Sequence, residues 1–382
     1  MTIRVEASAV LTAAAPPVAW EFFAGGGLAG LGLARFGIGL ANDIDAMKAT
    51  AFRANHPGIP LHEADVWSLS AGDLSGTPDL CWASSPCQDL SLAGARGGLQ
   101  ATRSGAFWGF WQLIRQLDAA GRAPPVIVVE NVAGLLSSGG GADFAAVCQA
   151  MAVAGYRVGA LEIDAALWLP QSRPRLFIVA MRGVAGPTVP GPVAPFHTAR
   201  LAAAHGRLPE TVRRSWVWWS LATPARRNSD LAALLQPDDA VDWFDTTRTE
   251  ALLALCAPLH RTRLDRAAAA GARQVGAGYR RVRTEAGHKV QRLELRFDGL
   301  AGCLRTPAGG SSRQYVVVCA DGRIRARRLT GREAARLMGV DDSYRLPPGE
   351  GAALKLMGDA VAVPVVRALA DGLLLPALSG RF

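Results

Sequence analysis

The chain has 382 residues, room for one large domain with a smaller companion or for one elaborated domain. Half of them are hydrophobic and 19% are charged, which excludes an extended disordered chain and predicts a packed core. A formal charge of +9 suits a polyanionic partner without naming one.

The charge is unevenly spread. Between Arg261 and Arg336 eighteen Lys and Arg stand against six Asp and Glu, so the rest of the chain is net acidic. Such a stretch is the footprint of a phosphate-backbone binder, and equally that of an arginine-rich solvated face. The six cysteines (Cys81, Cys87, Cys148, Cys256, Cys303, Cys319) form no C-x-x-C pair and have no histidine cluster beside them. No metal site and no disulfide scaffold is expected from them. The first twenty residues lack the apolar run of a signal peptide, and nothing reaches the ~18 uninterrupted apolar residues of a membrane span. The expected location is therefore cytoplasmic, with no membrane.

In chain order, Val18 to Phe23 reads as a strand entering the turn Phe23-Ala-Gly25-Gly26-Gly27-Leu28, and Leu28 to Leu40 reads as helix. A glycine turn between strand and helix lets backbone approach a ligand at a positive helix end. Asn42-Asp43-Ile44-Asp45 closes a second apolar run, where an acid can accept both hydroxyls of a ribose. Asp65, before Val66, is placed to take an adenine amino group. Together they describe a nucleoside cofactor site. The turn by itself also fits dehydrogenases, flavoproteins or a structural bend, and either acid by itself fits a helix cap.

Pro78 to Ala83 is a buried run leading into Ser84-Ser85-Pro86-Cys87-Gln88-Asp89-Leu90-Ser91. A cysteine in a polar loop after a buried strand, behind a proline, is a candidate nucleophile. The other five cysteines read as small buried hydrophobes. No histidine partner stands near Cys87, which disfavours a papain-type hydrolase.

Val126 to Val129 ends in Glu130-Asn131-Val132, an acid whose partial burial would raise its pKa; a capping carboxylate is the plainer alternative. Gln171-Ser-Arg173-Pro-Arg175 precedes the run Leu176 to Met181. Two guanidinium groups at alternate positions suit a carboxylate, a phosphate, a base carbonyl oxygen or a surface ion pair. Strands alternating with helices predict an α/β fold with a doubly wound, mostly parallel sheet, its chemistry at the carboxyl ends of the strands.

Gly183 to Pro195 reads as a linker, after which Trp216, Trp218 and Trp219 are expected to anchor the core of a second, smaller domain. Thr330 with Glu333 forms a predicted capping box, and Ala360 to Leu374 a helix packing back on the first domain. The expected division is a first domain over 17–184, completed by a C-terminal helix over 355–382, and a second domain over 185–354.

Taken in order, these segments resemble the DNA (cytosine-5) methyltransferases. The glycine turn is similar to the family's first cofactor motif, Pro86-Cys87-Gln88 to its nucleophile motif and Glu130-Asn131-Val132 to its acid motif. Gln171-x-Arg173-x-Arg175 is similar to its arginine motif. Arg328-Leu-Thr-x-Arg332-Glu333-x-x-Arg336-Leu-Met-Gly339 and Gly358-Asp359-Ala360-Val361 resemble its last blocks. The departures are Glu21 where aspartate is usual, Leu28 and Trp168 where glycine is common, and Asp359 where asparagine is frequent. Six motifs in sequence, over roughly Trp20 to Leu375, are far more specific than one.

The resemblance implies a Rossmann-like S-adenosylmethionine-dependent fold and methyl transfer to C5 of a flipped-out cytosine in double-stranded DNA, leaving S-adenosylhomocysteine. It implies Cys87 as the nucleophile at C6, Glu130 on the ring's N3 and amine, and Arg175, supported by Arg173, on the carbonyl oxygen. Phe23, Gly25, Gly27, Leu28, Asp43, Ile44, Asp65, Val66, Pro86, Phe107, Asp359 and Ala360 map to cofactor contacts. DNA contacts fall to Gln88 and Ser91 beside the nucleophile and, in the target-recognition domain, to Arg280, Arg281, Arg283, Arg305 and Arg313, with Lys289 and Arg292 as further candidates. A monomer is implied, with a cognate restriction endonuclease as a genetic neighbour. A tRNA cytosine methyltransferase and a silent DNA-binding relative are the alternatives. A nicotinamide dehydrogenase would leave Cys87 and the arginine pair without a task.

Overall fold

The computed structural model describes residues 15–86, 105–225, 227, 229–306 and 313–379. Its first layer is a seven-stranded sheet. The strands are β1 (Val18–Phe22), β2 (Gly37–Asp43), β3 (Leu61–Glu63), β4 (Leu80–Ser84), β5 (Val126–Val132), β6 (Arg157–Asp164) and β7 (Pro174–Met181), in spatial order β3-β2-β1-β4-β5-β7-β6. The pairs among β1 to β5 are parallel, and β7 runs antiparallel to both β5 and β6. Apolar runs such as Val126-Ile-Val-Val are buried on both faces, as strands covered by helices on two sides must be. The doubly wound, mostly parallel sheet expected from the sequence is the observed architecture.

The helices of this layer are α1 (Leu28–Gly32), α2 (Ala46–Asn55), α3 (Ala106–Ala119) and α4 (Ala142–Val153). Here one expectation is corrected: the helix read over Leu28 to Leu40 stops at Gly32, and β2 begins at Gly37. A turn closes the helix, Phe36 N donating to Leu33 O at 2.8 Å. Gly32 is required where a C-terminal helix crosses, since a Cβ there would lie 2.4 Å from Val366.

The linker reading is refined too. Gly183 to Pro195 carries β8 (Thr188–Val189), paired with β9 (Trp218–Trp219). After it come α5 (Ala199–Gly206) and α6 (Glu210–Ser215). The tryptophans do not anchor a second core; they cover the edge of the first sheet. Trp219 Nε1 donates to Val179 O at 3.0 Å, Val217 N donates to Val158 O at 2.8 Å, and Trp216 packs edge-on against Phe144.

A four-stranded antiparallel sheet follows α7 (Leu231–Leu234), α8 (Thr246–Leu253) and α9 (Pro258–Ala268). It comprises β10 (Gln274–Glu285), β11 (His288–Arg296), β12 (Gln314–Ala320) and β13 (Arg323–Arg328), in order β11-β10-β12-β13. One face has its own core of Leu252, Leu264, Leu293, Leu295, Val317 and Ala326. The other shares a core with the first layer through Ala277, Val316 and Val318.

The chain then returns as α10 (Gly331–Leu337), α11 (Glu350–Asp359), α12 (Val363–Leu369) and α13 (Leu375–Leu378). The capping box is present: Thr330 Oγ1 accepts from Glu333 N, and Glu333 returns a carboxylate to Thr330 N. The helical stretch Glu350–Leu378 has the length and apolarity to cross a membrane, which a search for an unbroken apolar run does not register. Its side chains Leu356, Val366, Leu369 and Leu373 are buried in the shared core, so it serves as a core element.

Candidate active site

The glycine turn is held from four sides. Phe23, Gly25 and Gly27 have positive φ, and Asp43 Oδ2 at the end of β2 accepts the Gly25 N–H at 2.8 Å. Beneath the turn Glu21 Oε2 accepts the Gly30 N–H at 3.0 Å, and burial pushes its carboxyl up to about 8. Tyr344 donates its hydroxyl to Gly26 O at 2.9 Å, and His56 Nε2 stands 3.2 Å from the same oxygen. Burial lowers the imidazole of His56 below its ordinary value. Space is open where a Cβ on Gly25 would be, while on Gly26 and Gly27 a Cβ would strike Tyr344 and His56. One side of the turn is thus left for a ligand and the other is clamped.

The residues mapped to a cofactor divide into two groups. Ile44 projects with 66% of its surface exposed, and Asp65 is exposed while capping Trp67 N at 3.0 Å. Asp43 is buried and already receives Gly25 N and Asp45 N, so it shapes the turn as well as bordering it. Leu28, Val66 and Phe107 send their side chains into the apolar cores, which leaves only their backbone for a ligand. Phe107 in particular lies parallel to Trp111 and edge-on to Trp108.

Asp359, at the end of α11, is bound by Lys48 of α2 at 2.7 Å and by the Thr306 hydroxyl. One helical turn back, Lys355 reaches Asp45 at 2.6 Å. These two crossed ion pairs stitch α2 to α11 beside the glycine turn. Neither lysine carries a spacing signal that sequence reading registers.

The second half of the site lies at the carboxyl ends of β4 and β5. Glu130 is paired in register with Ser84, whose hydroxyl bonds the carboxyl and accepts from Trp82 Nε1 at 3.0 Å. Asn131 Nδ2 donates to Ser85 O at 2.9 Å and so pins the segment that leads through exposed Pro86 toward Cys87. Cys87, Gln88 and Ser91 themselves lie outside the described residues. From the neighbouring antiparallel strand Arg175 Nε approaches Glu130 Oε1 at 3.2 Å. Burial raises the Glu130 pKa, and Arg175, Arg173 and Ser84 oppose that rise. The outcome is a buried acid able to keep a proton above the usual carboxylate range, beside a fixed cation.

Arg173 does different work. It is fully buried, and its guanidinium donates to Leu304 O at 2.9 Å, Gly358 O at 2.9 Å and Ala360 O at 2.5 Å. Alternation along the strand suggests two arginines aimed at one ligand. The structure instead places Arg173 behind Arg175 as a clamp on three carbonyls. Gln171 acts likewise, donating to Leu337 O at 2.7 Å and accepting from Leu304 N at 3.1 Å.

On the second sheet much of the positive charge is offset. Arg281 and Arg283 share Glu294, Arg292 pairs with Glu285, Arg296 with Asp298, and Arg327 with buried Glu333. Arg280 lies over the ring of Tyr315, and Lys289 stands near the hairpin tip. Arg305 and Arg313 have no carboxylate within ion-pairing distance among the described residues.

A family model for C-5 cytosine-specific DNA methylases matches residues 19–216 and 267–374. The chain belongs to this family. Among its relatives, the type II methyltransferase M.PspPI of Psychrobacter is 31% identical over 166 residues, 42% of this chain and 39% of its own length. M.HpaII of Haemophilus parainfluenzae is 25% identical over 350 residues, 86% of this chain and 80% of its own. M.PspPI and M.Eco47II of Escherichia coli are each matched over only 39% of their length. The fold is similar to that of the S. pombe Dnmt2 methyltransferase, with TM-score 0.59 at 16% identity over 96% of this chain and 100% of that one. It is also similar to the Entamoeba histolytica methyltransferase EhMeth, with TM-score 0.57 at 13% identity over 96% and 99%. The match skips 217–266, which holds α7, α8 and most of α9.

Proposed function

We propose that this protein transfers a methyl group to C5 of cytosine in a short double-stranded DNA sequence, with Cys87 as the nucleophile. The observation that carries the reading is the Glu130–Arg175 pair, which stands beside Ser85-Pro86 where the chain enters Cys87. Cytosine C5 is a weak nucleophile; a thiolate added at C6 turns the ring into an enamine. Glu130 holds the ring's N3 and exocyclic amine and supplies a proton as the thiolate adds. Arg175 holds the carbonyl oxygen and offsets the charge that grows there. After transfer, loss of the C5 proton and expulsion of Cys87 restore the ring. The base lies outside the helix for this, since the ring is unreachable within a duplex.

The glycine turn fits S-adenosylmethionine: Gly25 leaves an open face, while exposed Ile44 and Asp65 flank it. When bound, S-adenosylmethionine supplies an electrophilic methyl group to the activated C5. Phe23, Gly25, Gly27 and Ile44 with the backbone of Leu28, Val66 and Phe107 would hold it, with Asp43, Asp65, Pro86, Asp359 and Ala360 around them. We assign 17–184 with 355–382 to catalysis and 185–354 to target recognition. Within the latter, Arg305 and Arg313 are the foremost phosphate or guanine contacts, ahead of the ion-paired Arg281 and Arg283.

The protein acts in the cytoplasm on the nucleoid, as a monomer. The type II names of its relatives favour a restriction endonuclease encoded nearby. Tritium transfer from labelled S-adenosylmethionine to unmethylated duplex DNA and, in parallel, to bulk tRNA tests the reading. Label in DNA at one short repeated context supports it. Label only in tRNA overturns the substrate, and label in neither leaves a silent DNA-binding relative.

A further inference from the structure

A second thiol reaches the acid–arginine pair from the other end of the chain. The segment Ala301 to Leu304 lies alongside Pro170 to Ser172: Ala301 N donates to Pro170 O at 2.8 Å, and Ser172 N to Ala301 O at 3.0 Å. Gln314 fixes the same segment through both polar atoms of Gly302, at 3.1 and 2.7 Å. So held, Cys303 Sγ lies 3.7 Å from Arg173 Nη1 and 3.8 Å from Arg175 Nη1, with its own proton directed to Leu304 O at 3.4 Å.

Two cationic groups are thus side by side, and their proximity is unfavourable. Burial, and after it the Arg175 charge, push Arg173 down to about 10. A polarisable sulfur accepting from both offsets part of that repulsion. It also fixes the Arg175 fork. With Nε in an ion pair with Glu130 and Nη1 shared between Pro174 O and the sulfur, Nη2 is the one terminal nitrogen with no partner among the described residues.

We propose that Cys303 is a positioning residue, holding Arg175 so that Nε engages Glu130 while Nη2 faces the base carbonyl oxygen. The proposal rests on the methyltransferase reading above. It concerns a thiol other than Cys87, one that forms no bond to the base.

The test compares wild type, Cys303→Ala and Cys303→Ser in single-turnover methyl transfer and in equilibrium binding to duplex DNA. Cys303→Ala is expected to lower the transfer rate on the order of tenfold, the worth of one hydrogen bond to a charged group. Its DNA affinity should stay within about twofold, and Cys303→Ser should recover most of the rate by restoring an acceptor. An unchanged rate in Cys303→Ala overturns the proposal. So does an equal fall in both variants accompanied by lost DNA binding, which would mark a packing role alone. Crystal structures of both variants give an answer independent of activity: Arg175 should leave Glu130 in Cys303→Ala and keep it in Cys303→Ser. An Arg175 that stays in place without the sulfur defeats the proposal. A wild-type protein that transfers no methyl group defeats the functional reading, while the crystal structures still decide the role of Cys303.

Discussion

Two buried carboxyls separate the roles a single residue type can take. Glu21 supports the glycine turn, and its pKa rises from 4.5 to about 8 chiefly through burial. Between those values the folded chain holds a proton that the unfolded chain has lost, so stability falls as pH rises from about 4.5 to about 8 and levels off beyond. Glu21→Gln should flatten that slope and raise the melting temperature at pH 8 relative to wild type, as thermal unfolding across pH would show. Glu130 is raised by the same burial but faces Arg175 in the site. If its proton is used as the thiolate adds, transfer should decline as pH climbs through its raised pKa. Glu130→Gln should then cost about a hundredfold or more in rate with DNA binding largely kept. Glu130 and the turn were legible in the sequence because each follows an apolar run, and Arg175 because it stands immediately before one. Cys303 was not, because a cysteine between a glycine and a leucine reads as a small hydrophobe. Its placement comes from Gln171, read in the sequence only as part of the arginine motif, and from Gln314, which carries no pattern.

At the scale of elements, α10 is fixed by more than its cap. Glu333 is fully buried, receives both terminal nitrogens of Arg327 at 2.8 and 2.7 Å, and also accepts from Thr330 N and Gln236 N. Removing the acid strands a buried guanidinium, so Glu333→Ala should destabilise by about 3–5 kcal/mol, measurable by denaturant unfolding. The capping box itself was legible from Thr330 and Glu333; the arginine beneath it was not, because Arg327 lies in an otherwise solvated-looking run on β13. The same limit explains the two larger misreadings. Leu28 to Leu40 looked helical because apolar spacing registers burial, and the turn from Leu33 to Phe36 that leads into β2 has no apolar signature. Trp216 to Trp219 looked like a separate core because the sequence after a linker reads as new. In the fold, Gly159 clears a path for that segment, since a Cβ there would lie 2.0 Å from Val217 O.

For the whole molecule, charge has to be counted after folding. Of the eighteen basic residues between Arg261 and Arg336, seven are met by Glu285, Glu294, Asp298, Glu333 and Asp238. Arg305→Ala should therefore reduce the salt dependence of DNA binding by about one unit of log–log slope. Arg283→Ala, whose charge Glu294 already meets, should leave the slope nearly unchanged. Titration of affinity against salt separates the two.

The clamp made by Arg173 also has a bearing on how the protein comes into being. Its three carbonyls belong to residues 304, 358 and 360, and α12 closes over α1 only after them. Synthesis delivers the glycine turn and Glu130 long before any of these partners exist. A half-made chain on the ribosome has the glycine turn and the acid motif yet lacks the floor on which they are levelled. The site is complete only with the last helices, so a product truncated before them is expected to be inactive.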